Sequence, residues 1–417
     1  MTRSTSGLDA PDVTTAALYL SGVPHDRFTR MRSQPGLTWH PYESSGFWAV
    51  TRHGDVKEAS KRSDVFSSGL GHTNLWDLQP DALEARRSIL DTDPPDHTRL
   101  RRLVSKAFTP RAIRRWEDLT RQITEELLDE YLAAGGGDWV AMVAAPLPIR
   151  VILTILGVPV DDADYLVEIS NYLVEGTSDQ PSLAADAYGN TTELRLLPFG
   201  SPASHALYQY GERMGEQRRA EPRDDMVTML VQAEDDGDRL SHNEYRNFFH
   251  ALVFAGNETT RTAMTHGAMA LADNPGEWQR VLNDPALIET GVEEVLRWST
   301  PVLHMRRTAA VDTELAGTAI AAGDKVVMWY VSANRDETVF EDPFRFDIGR
   351  VDNPHQAFGG GGPHFCLGAF LARMEVTVLM EEMQKRNMVL EPNGSAVHAP
   401  SNFVHGILSV ELGASRA

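Results

Sequence analysis

The 417-residue chain contains a single cysteine, Cys366. One thiol cannot form an internal disulfide, and it cannot supply the several thiolates of a structural zinc site or an iron–sulfur cluster. Cysteine scarcity in a chain of this length is typical of a reducing compartment. We therefore expect a cytoplasmic protein that carries no iron–sulfur cluster of its own.

Long apolar runs are also missing. The N-terminal residues lack the apolar core of about 7–15 residues that a signal peptide needs. The most apolar stretch, residues 140–160, has about membrane length, but it contains Arg150 and three prolines. A lipid-exposed span tolerates these residues poorly, so the stretch predicts a buried globular segment and no membrane insertion.

Basic residues are the minority charge, with 39 Lys and Arg against 59 Asp and Glu and a net charge of −20. Neutralising nucleic-acid phosphates requires clustered Lys and Arg, so a nucleic acid is not an expected partner. Hydrophobic residues make up 42% and charged residues 24% of the chain, which is ordinary for a globular protein. Disordered and fibrous classes are therefore excluded.

Helical patterns dominate the sequence, and short β patterns occur near residues 37–51 and 302–329. No internal repeat and no linker composition is present, so we expect a flexible tail over residues 1–14 and one domain over residues 15–417. Residues 177–204 are rich in Ser, Pro and Gly, which predicts a mobile connection. The predicted fold class is mainly α with small β-sheets.

Clear start and stop signals mark several of the helices. Ser241 and Glu244 form a capping box, and the helix they begin can run without proline to Asp273. Residues 248–255 are apolar nearly all round, which is typical of a helix that crosses the middle of a large protein. Earlier in the chain, Pro94-Pro95 predict a helix that ends before Pro110, and residues 111–132 predict another helix closed by three glycines.

The cysteine stands in a glycine-rich loop, Phe-Gly-Gly-Gly-Gly-Pro-His-Phe-Cys at residues 358–366, just before a helix predicted to begin near Leu367. The N–H groups and positive dipole end of that helix favour a thiolate and lower the thiol pKa. Such a sulfur can act as a metal ligand or a nucleophile. The four glycines would let the backbone approach a flat group closely.

Two alternatives for this loop fit less well. A phosphate-binding loop would need a Lys-Ser or Lys-Thr pair or the G-x-G-x-x-G spacing, and neither is present. A cysteine hydrolase would need His364 as its base. Residues two apart on an extended loop point to opposite sides, and no nearby polar group would orient that histidine.

Four motifs together resemble a known family. They are the cysteine loop, residues 255–260 (Ala-Gly-Asn-Glu-Thr-Thr), the Glu294-x-x-Arg297 pair, and residues 343–346 (Pro-Phe-Arg-Phe). In order and spacing they resemble a bacterial cytochrome P-450, a haem-thiolate monooxygenase, over roughly residues 15–415. One departure is visible: the family's Phe stands seven residues before the Cys, whereas Phe358 stands eight before Cys366.

The resemblance implies the cytochrome P-450 fold, with haem b between the long central helix and the cysteine loop and Cys366 as the iron ligand. It implies that Glu258 and Thr259 relay protons during O2 activation. Gly256 weakens the helical hydrogen bonding and Thr259 can bond back to a carbonyl, so we expect a local bulge or groove beside them, and the resemblance implies that it holds dioxygen. It also implies a buried, structural ion network of Glu294, Arg297 and Arg345. The implied cofactor-binding residues are His97, Arg101, Ala255, Gly256, Arg307, Phe358, His364, Cys366 and Gly368, of which His97, Arg101, Arg307 and His364 would hold the propionates.

The substrate pocket implied by the resemblance is mostly apolar. Apolar pockets select by size and shape, which favours a steroid, a terpenoid or a branched lipid over other substrates. His72, Asn74 and Asn402 leave open a tailoring enzyme for a more polar natural product. The implied lining residues are Leu75, Trp76, Ala251, Ala255, Val302, Leu303 and Phe403.

Electrons would come from NAD(P)H through a separate ferredoxin and ferredoxin reductase, because the chain has neither a cluster nor a nucleotide-binding fingerprint. A peroxide-driven peroxygenase and a non-catalytic haem sensor are alternatives, and the intact Glu258-Thr259 pair disfavours both. We expect a monomer. A basic segment between residues 98 and 116 predicts the ferredoxin docking site, and its members are Arg99, Arg101, Arg102, Lys106, Arg111, Arg114 and Arg115.

Overall fold

The computed structural model describes residues 10–43, 45–175 and 192–417. Helices dominate it and its sheets are small, so the predicted fold class is confirmed. The α-helices are α1 His25–Arg32, α2 His53–Lys61, α3 Pro80–Arg86, α4 Asp96–Ser105, α5 Pro110–Arg114, α6 Glu117–Ala134, α7 Pro146–Leu156, α8 Ala163–Glu175, α9 Pro202–Ala220, α10 Met226–Val231, α11 His242–Asp273, α12 Pro275–Asn283, α13 Ile288–Ser299, α14 Tyr330–Ala333 and α15 Ala369–Lys385.

Short 3-10 turns join many of these helices, and residues Val140–Ala144 form a π-helical turn. The strands are β1 Thr38–His40, β2 Phe47–Val50, β3 Phe66–Ser67, β4 Gly136–Asp138, β5 Glu234–Asp235, β6 Asp238–Arg239, β7 His304–Ala309, β8 Thr313–Leu315, β9 Thr318–Ile320, β10 Lys325–Trp329, β11 Met388–Pro392, β12 Val397–His398, β13 Ile407–Ser409 and β14 Glu411–Arg416.

The largest sheet has the strand order β1-β2-β10-β7-β3. Its β2 and β10 are parallel, with Ala49 opposite Val327, and its other neighbours are antiparallel. A second sheet, β11-β14-β4, ties the C-terminal strand to the glycines after α6. Both sheets therefore join segments that are far apart in the sequence.

Helix α11 crosses the centre of the molecule and packs against α7, α9, α13 and α15. The predicted capping box is present, since the Ser241 hydroxyl accepts from Glu244 N and the Glu244 carboxylate accepts from Ser241 N. The helix runs without interruption to Asp273, so a bulge, one of the two forms expected near Gly256 and Thr259, is absent. Thr259 Oγ1 still donates to the Ala255 carbonyl at 2.7 Å, and the regular helix accommodates this bond.

Other boundaries differ from the predictions. The helix predicted over residues 111–132 is two helices, α5 and α6, and Gly135 ends α6 with a left-handed φ of 74°. Val13 is fully buried and Asn402 donates to the Thr14 carbonyl, so the packed chain begins before residue 15. The mobile connection expected over 177–204 lies mostly outside the described residues, which resume at 192. Within the described ranges, no helix is long and apolar enough to cross a membrane.

Candidate active site

The cysteine loop runs directly into α15, whose N-cap is Gly368. Cys366 N donates to the Phe358 carbonyl at 3.0 Å, and the Cys366 side chain is exposed. Dense protein around the sulfur nevertheless raises the pKa of its thiol, while the Gly368 N–H, Arg101 and Arg373 act to lower it. The predicted stabilising N–H is therefore present, and desolvation by the surrounding protein acts against it on the thiol pKa.

Two of the loop's glycines allow a close approach to α2. A Cβ atom at Gly360 would overlap the Ser60 hydroxyl, and one at Gly362, where φ is +77°, would overlap the Ser60 carbonyl. Gly361 also has positive φ, at +95°, but its nearest neighbour is the flexible end of Lys61 at 3.8 Å. The glycine requirement at positions 360 and 362 thus comes from helix α2.

Phe358 keeps a defined place despite the extra loop residue. Its ring centroid lies 6.2 Å from that of Phe365, and the Arg373 guanidinium lies 4.5 Å above it. Arg373 is held by Glu293 through contacts of 2.6 and 2.9 Å. The Phe358 ring therefore packs against Arg373 and lies next to Phe365, the residue before Cys366.

Four cationic or titratable side chains from three parts of the chain meet near Cys366. His97 and Arg101 lie on α4, Arg307 on β7 and His364 on the cysteine loop, with the His97 and His364 ring centroids 4.0 Å apart. Burial, with the nearby arginines, lowers the pKa of His97 to about 4 and that of His364 to about 2. Within the described ranges, Arg101 and Arg307 have no carboxylate at ion-pair distance and the buried His97 Nδ1 has no partner.

Helix α11 has one accessible face along residues 251–259. Ala251, Ala255 and Thr259 follow one another at four-residue spacing, and Ala255 is exposed although most of the helix around it is buried. Gly256 faces α7, where a Cβ atom would meet Ile152 at an ordinary 3.5 Å. Glu258 is 3% exposed, and its burial raises the pKa of its carboxyl against the opposing effect of Arg261.

The predicted ion network is present with one member changed. Arg297 donates to both Glu294 oxygens at 2.7 Å, and both side chains are fully buried. Arg345 contributes only its carbonyl; its side chain is 60% exposed and lies 3.8 Å from Glu277. Arg350 occupies the expected place, with Nε 3.2 Å from Glu294 Oε2.

Comparisons with known proteins agree on one family. The cytochrome P450 family model matches residues 203–412. A steroid C26-monooxygenase from Mycolicibacterium smegmatis is 39% identical over 407 residues, covering 95% of this chain and 92% of the relative. The methyl-branched lipid omega-hydroxylase of Mycobacterium tuberculosis is 40% identical over 394 residues, covering 92% and 89%. The chain belongs to the cytochrome P450 family.

The solved structures carry the same fold. A Mycobacterium marinum cytochrome P450 in complex with pseudoionone matches with a TM-score of 0.86 and 38% identity, over 98% of this chain and 99% of that one. The predicted P450 fold is therefore confirmed. The protein is a P450 monooxygenase that uses haem with a cysteine thiolate ligand, O2 and electrons from NAD(P)H delivered through partner proteins.

The residues present fit a haem. Cys366 is the only thiol in the chain, and its side chain is accessible. The group formed by His97, Arg101, Arg307 and His364 has positive charge to spare, which fits two propionates. When haem is bound, its iron activates dioxygen, and thiolate ligation favours O–O cleavage.

The predicted pocket residues of this P450 do not all face an open space. Ala251, Ala255, Trp76 and Val302 are partly or fully accessible, and Phe403 is 8% exposed against the His304 ring. The placement of Leu75 and Leu303 in the pocket is wrong. Both are buried in a separate core cluster with Val13, Tyr19, Phe28, Met31, Phe47, Ala49, Val327, Trp329 and Val331.

The basic segment predicted for docking is partly neutralised in the fold. Arg99 pairs with Asp238 and Glu244, Arg102 with Asp235 at 2.9 Å, and Arg115 with Asp224 at 2.9 Å. These acids belong to residues 224–244, which no sequence pattern placed beside α4. Within residues 98–116, the exposed cations that have no ion-paired carboxylate among the described residues are Lys106, Arg111 and Arg114.

Proposed function

We propose that this P450 hydroxylates a C–H bond of a medium-sized apolar molecule, with sterols and methyl-branched lipids as the first candidates. The main supporting observation is the open face of α11, where Ala251 and Ala255 offer only small apolar surface to a ligand. Such a surface is selective for shape and makes no hydrogen-bonded readout. The two relatives named as a steroid and a branched-lipid monooxygenase support the same class.

Within this proposal Glu258 and Thr259 supply protons. Insertion of one oxygen atom into the substrate releases the other as water, and this consumes two protons and two electrons. Thr259 lies on the open face, one turn after Ala255, and Glu258 is the adjacent buried acid. A positioned proton donor is worth about 10²–10⁴ in rate, so its loss diverts electrons to peroxide.

The decisive experiment has two parts. Ferric protein is first titrated with a sterol, a methyl-branched fatty acid and a polar polyketide, and displacement of water from the haem is followed by absorbance. Product and peroxide per NAD(P)H are then measured for Thr259→Ala and Glu258→Gln, with Thr262→Val as a buried control on the same helix. A response to the polyketide alone, or unchanged coupling in both relay variants, refutes the proposal.

We also propose that a separate acidic ferredoxin, itself reduced by a ferredoxin reductase, docks at Lys106, Arg111 and Arg114 of a monomeric, cytoplasmic enzyme. Exposed charges steer association and are screened beyond about 10 Å at 0.1 M salt. Lys106→Glu with Arg114→Glu should slow ferredoxin-driven reduction and flatten its salt dependence, while dithionite reduction is unchanged. Arg30→Glu on α1 is the control, and an unaltered salt slope in the double variant contradicts this site.

A further inference from the structure

Two neighbouring arginines on β7 point to opposite faces of the sheet. Arg307 belongs to the group that fits the haem propionates, whereas Arg306 lies on the other face, because side chains alternate along a strand. The Arg306 side chain is 5% exposed and contacts the segment that joins β3 to α3, residues 68–79. Trp76, one of the predicted pocket residues, lies in this β3–α3 segment.

Arg306 fixes the β3–α3 segment on both sides of Trp76. Its Nη1 donates to the carbonyls of Leu75 at 3.4 Å and Trp76 at 3.1 Å. The same atom donates to Asp77 Oδ1 at 2.8 Å, and the Arg306 backbone N donates to the Thr73 carbonyl at 2.7 Å. One residue of the sheet therefore determines the position of the main chain from residue 73 to residue 77.

Asp77 connects the segment to two further parts of the sheet. Lys325 on β10, 4% exposed, donates to Asp77 Oδ2 at 2.7 Å, so two buried cations share one carboxylate. Glu43, in the turn between β1 and β2, accepts from Asp77 N at 3.3 Å. Burial acts to raise the pKa of Asp77, but the hydrogen bonds from Lys325 and Arg306 lower it, so these contacts persist at neutral pH.

The other end of the β3–α3 segment is tied to the haem site. Asp93 accepts from the backbone N–H groups of Ser68 at 2.7 Å and Gly69 at 3.1 Å. Ser68 Oγ lies 3.1 Å from Nε2 of His364, which belongs to the group that fits the propionates. The segment therefore begins beside the haem site and is fixed at both ends.

Two aromatic rings stack between these ends. Leu75 is buried in a core cluster, whereas Trp76 stays partly accessible, with its ring centroid 6.0 Å from that of His72 and the ring planes 29° apart. Burial lowers the pKa of His72, so its ring is neutral at physiological pH. Trp76 and His72, named here the aromatic wall, therefore form an uncharged surface.

From these contacts we propose that Arg306 is a positioning residue for substrate recognition, which holds the aromatic wall at one place in the substrate pocket. Lys325 supports this position through Asp77. A wall that cannot move selects ligands by shape, whereas a mobile surface adapts to several shapes. This inference rests on the proposed apolar substrate and adds the contact through which its shape is recognised.

Gly71 gives access to the same contacts from the side of the segment. A Cβ atom at Gly71 would lie 2.7 Å from Arg306 Nη2 and 2.9 Å from Thr308 Oγ1. Arg306 cannot yield without weakening its contacts to Trp76 and Asp77, so Gly71→Ala should disturb the wall. Gly54→Ala on α2 is the matched control, because a Cβ atom there meets nothing within 4 Å.

The first test measures binding of two azoles to the ferric haem of Arg306→Met, Gly71→Ala and Trp76→Ala. Imidazole is small enough to reach the iron without touching the wall, and a trityl-substituted imidazole fills the pocket. Each variant should bind the large azole about tenfold more weakly and release it faster, with imidazole affinity unchanged. Arg306→Lys keeps the charge beside Asp77 and loses the planar fork, so it should restore part of the affinity.

Two results of this titration would contradict the proposal. Wild-type affinity for the large azole in Trp76→Ala would mean that the wall does not touch the ligand. Wild-type affinity in Arg306→Met would mean that Arg306 does not hold the wall.

The second test needs no ligand. In the haem-loaded protein, hydrogen exchange at the amides of residues 71–78 should be several-fold faster in Arg306→Met, with exchange in α12 unchanged. Arg218→Met is the control for a merely structural loss, because Arg218 is also buried and joins Asp225 to the Gly157 carbonyl. Wild-type exchange of residues 71–78 in Arg306→Met, or the same azole defect in Arg218→Met, would overturn the proposal.

Titration with a sterol and a methyl-branched fatty acid separates this inference from the proposed function. The ratio of the two affinities should move towards one in Arg306→Met, because a mobile wall fits both shapes. If neither ligand displaces water from the wild-type haem, the proposed function fails, and the azole and exchange results still decide the role of Arg306. If both bind and their affinity ratio is the same in Arg306→Met, only the role of Arg306 is refuted.

Discussion

Replacing Arg350 tests the ion network of Glu294 and Arg297, which contacts the backbone of Asn334, Pro343 and Asp347. The resemblance gave Arg345 this place, whereas the structure gives it to Arg350. We compare Arg350→Met with Arg345→Met, because methionine keeps much of the apolar stem and removes the charge. The two positions are five residues apart in one segment, so the comparison isolates the position of the side chain.

The expected loss of stability can be worked out from the Arg350 contacts. The Arg350 side chain is 10% exposed, lies 3.2 Å from Glu294, and donates to the carbonyls of Glu341 at 2.8 Å and Arg345 at 3.2 Å. Charged donors contribute about 1.5–3 kcal/mol per hydrogen bond, and Glu294 keeps Arg297 in the variant, so we expect a loss of about 2–4 kcal/mol. The exposed Arg345 side chain, 3.8 Å from Glu277, contributes about 0–1 kcal/mol.

Urea unfolding of the haem-loaded protein, followed by haem absorbance and tryptophan fluorescence, measures both losses. The conversion of the CO complex from the thiolate-type band to the band without thiolate reports damage to the cysteine loop. We expect a lower midpoint and faster conversion for Arg350→Met and near wild-type behaviour for Arg345→Met. Equal losses, or a larger loss in Arg345→Met, would refute the assignment of Arg350.

Three further predictions concern Gly362, His250 and Cys366. Gly362→Ala should lose at least about 1–2 kcal/mol more than Gly361→Ala, because both have positive φ but only Gly362 adds overlap with the Ser60 carbonyl; equal unfolding midpoints would contradict this. Burial lowers the pKa of His250 from 6.5 to about 3. Below pH 6.5 the unfolded state therefore binds more protons than the folded state, and the free energy of unfolding falls as pH falls. In urea melts at several pH values, His250→Phe should reduce this pH dependence by about one bound proton. Cys366→Ser should abolish the thiolate-type CO band of the reduced protein, and its persistence would contradict ligation by Cys366.

Features that depend on neighbours along the chain were predictable from the sequence. The capping box of Ser241 and Glu244, the end of α6 at Gly135 and the start of α15 after Cys366 all depend on residues within one helical turn. The short β patterns near residues 37–51 and 302–329 were equally local, and strands lie within both. Local residues suffice for these features because they satisfy the backbone hydrogen bonds at helix ends and turns.

Contacts between residues that are far apart in the sequence could be seen only in the folded chain. The fold places Arg350 instead of Arg345 beside Glu294, and it buries Leu75 and Leu303 in a core cluster. It also brings the acids of residues 224–244 onto the basic segment, for example Asp235 onto Arg102. Contacts between residues far apart in sequence leave no periodic pattern, so charge counts along one segment overestimate its free charge.

For the Cys366 thiol and the Glu258 carboxyl, too, the sequence shows the local neighbours and only the fold shows the surroundings. A helix N-terminus next to Cys366 predicted a lowered thiol pKa, and only the packing around the sulfur revealed that burial raises it. The sequence showed Glu258 three residues before Arg261, the same spacing as Glu294 and Arg297. Whether such a pair is rigid or loose depends on how many carbonyls and N–H groups the rest of the fold brings to it, because desolvated charges must find their partners there.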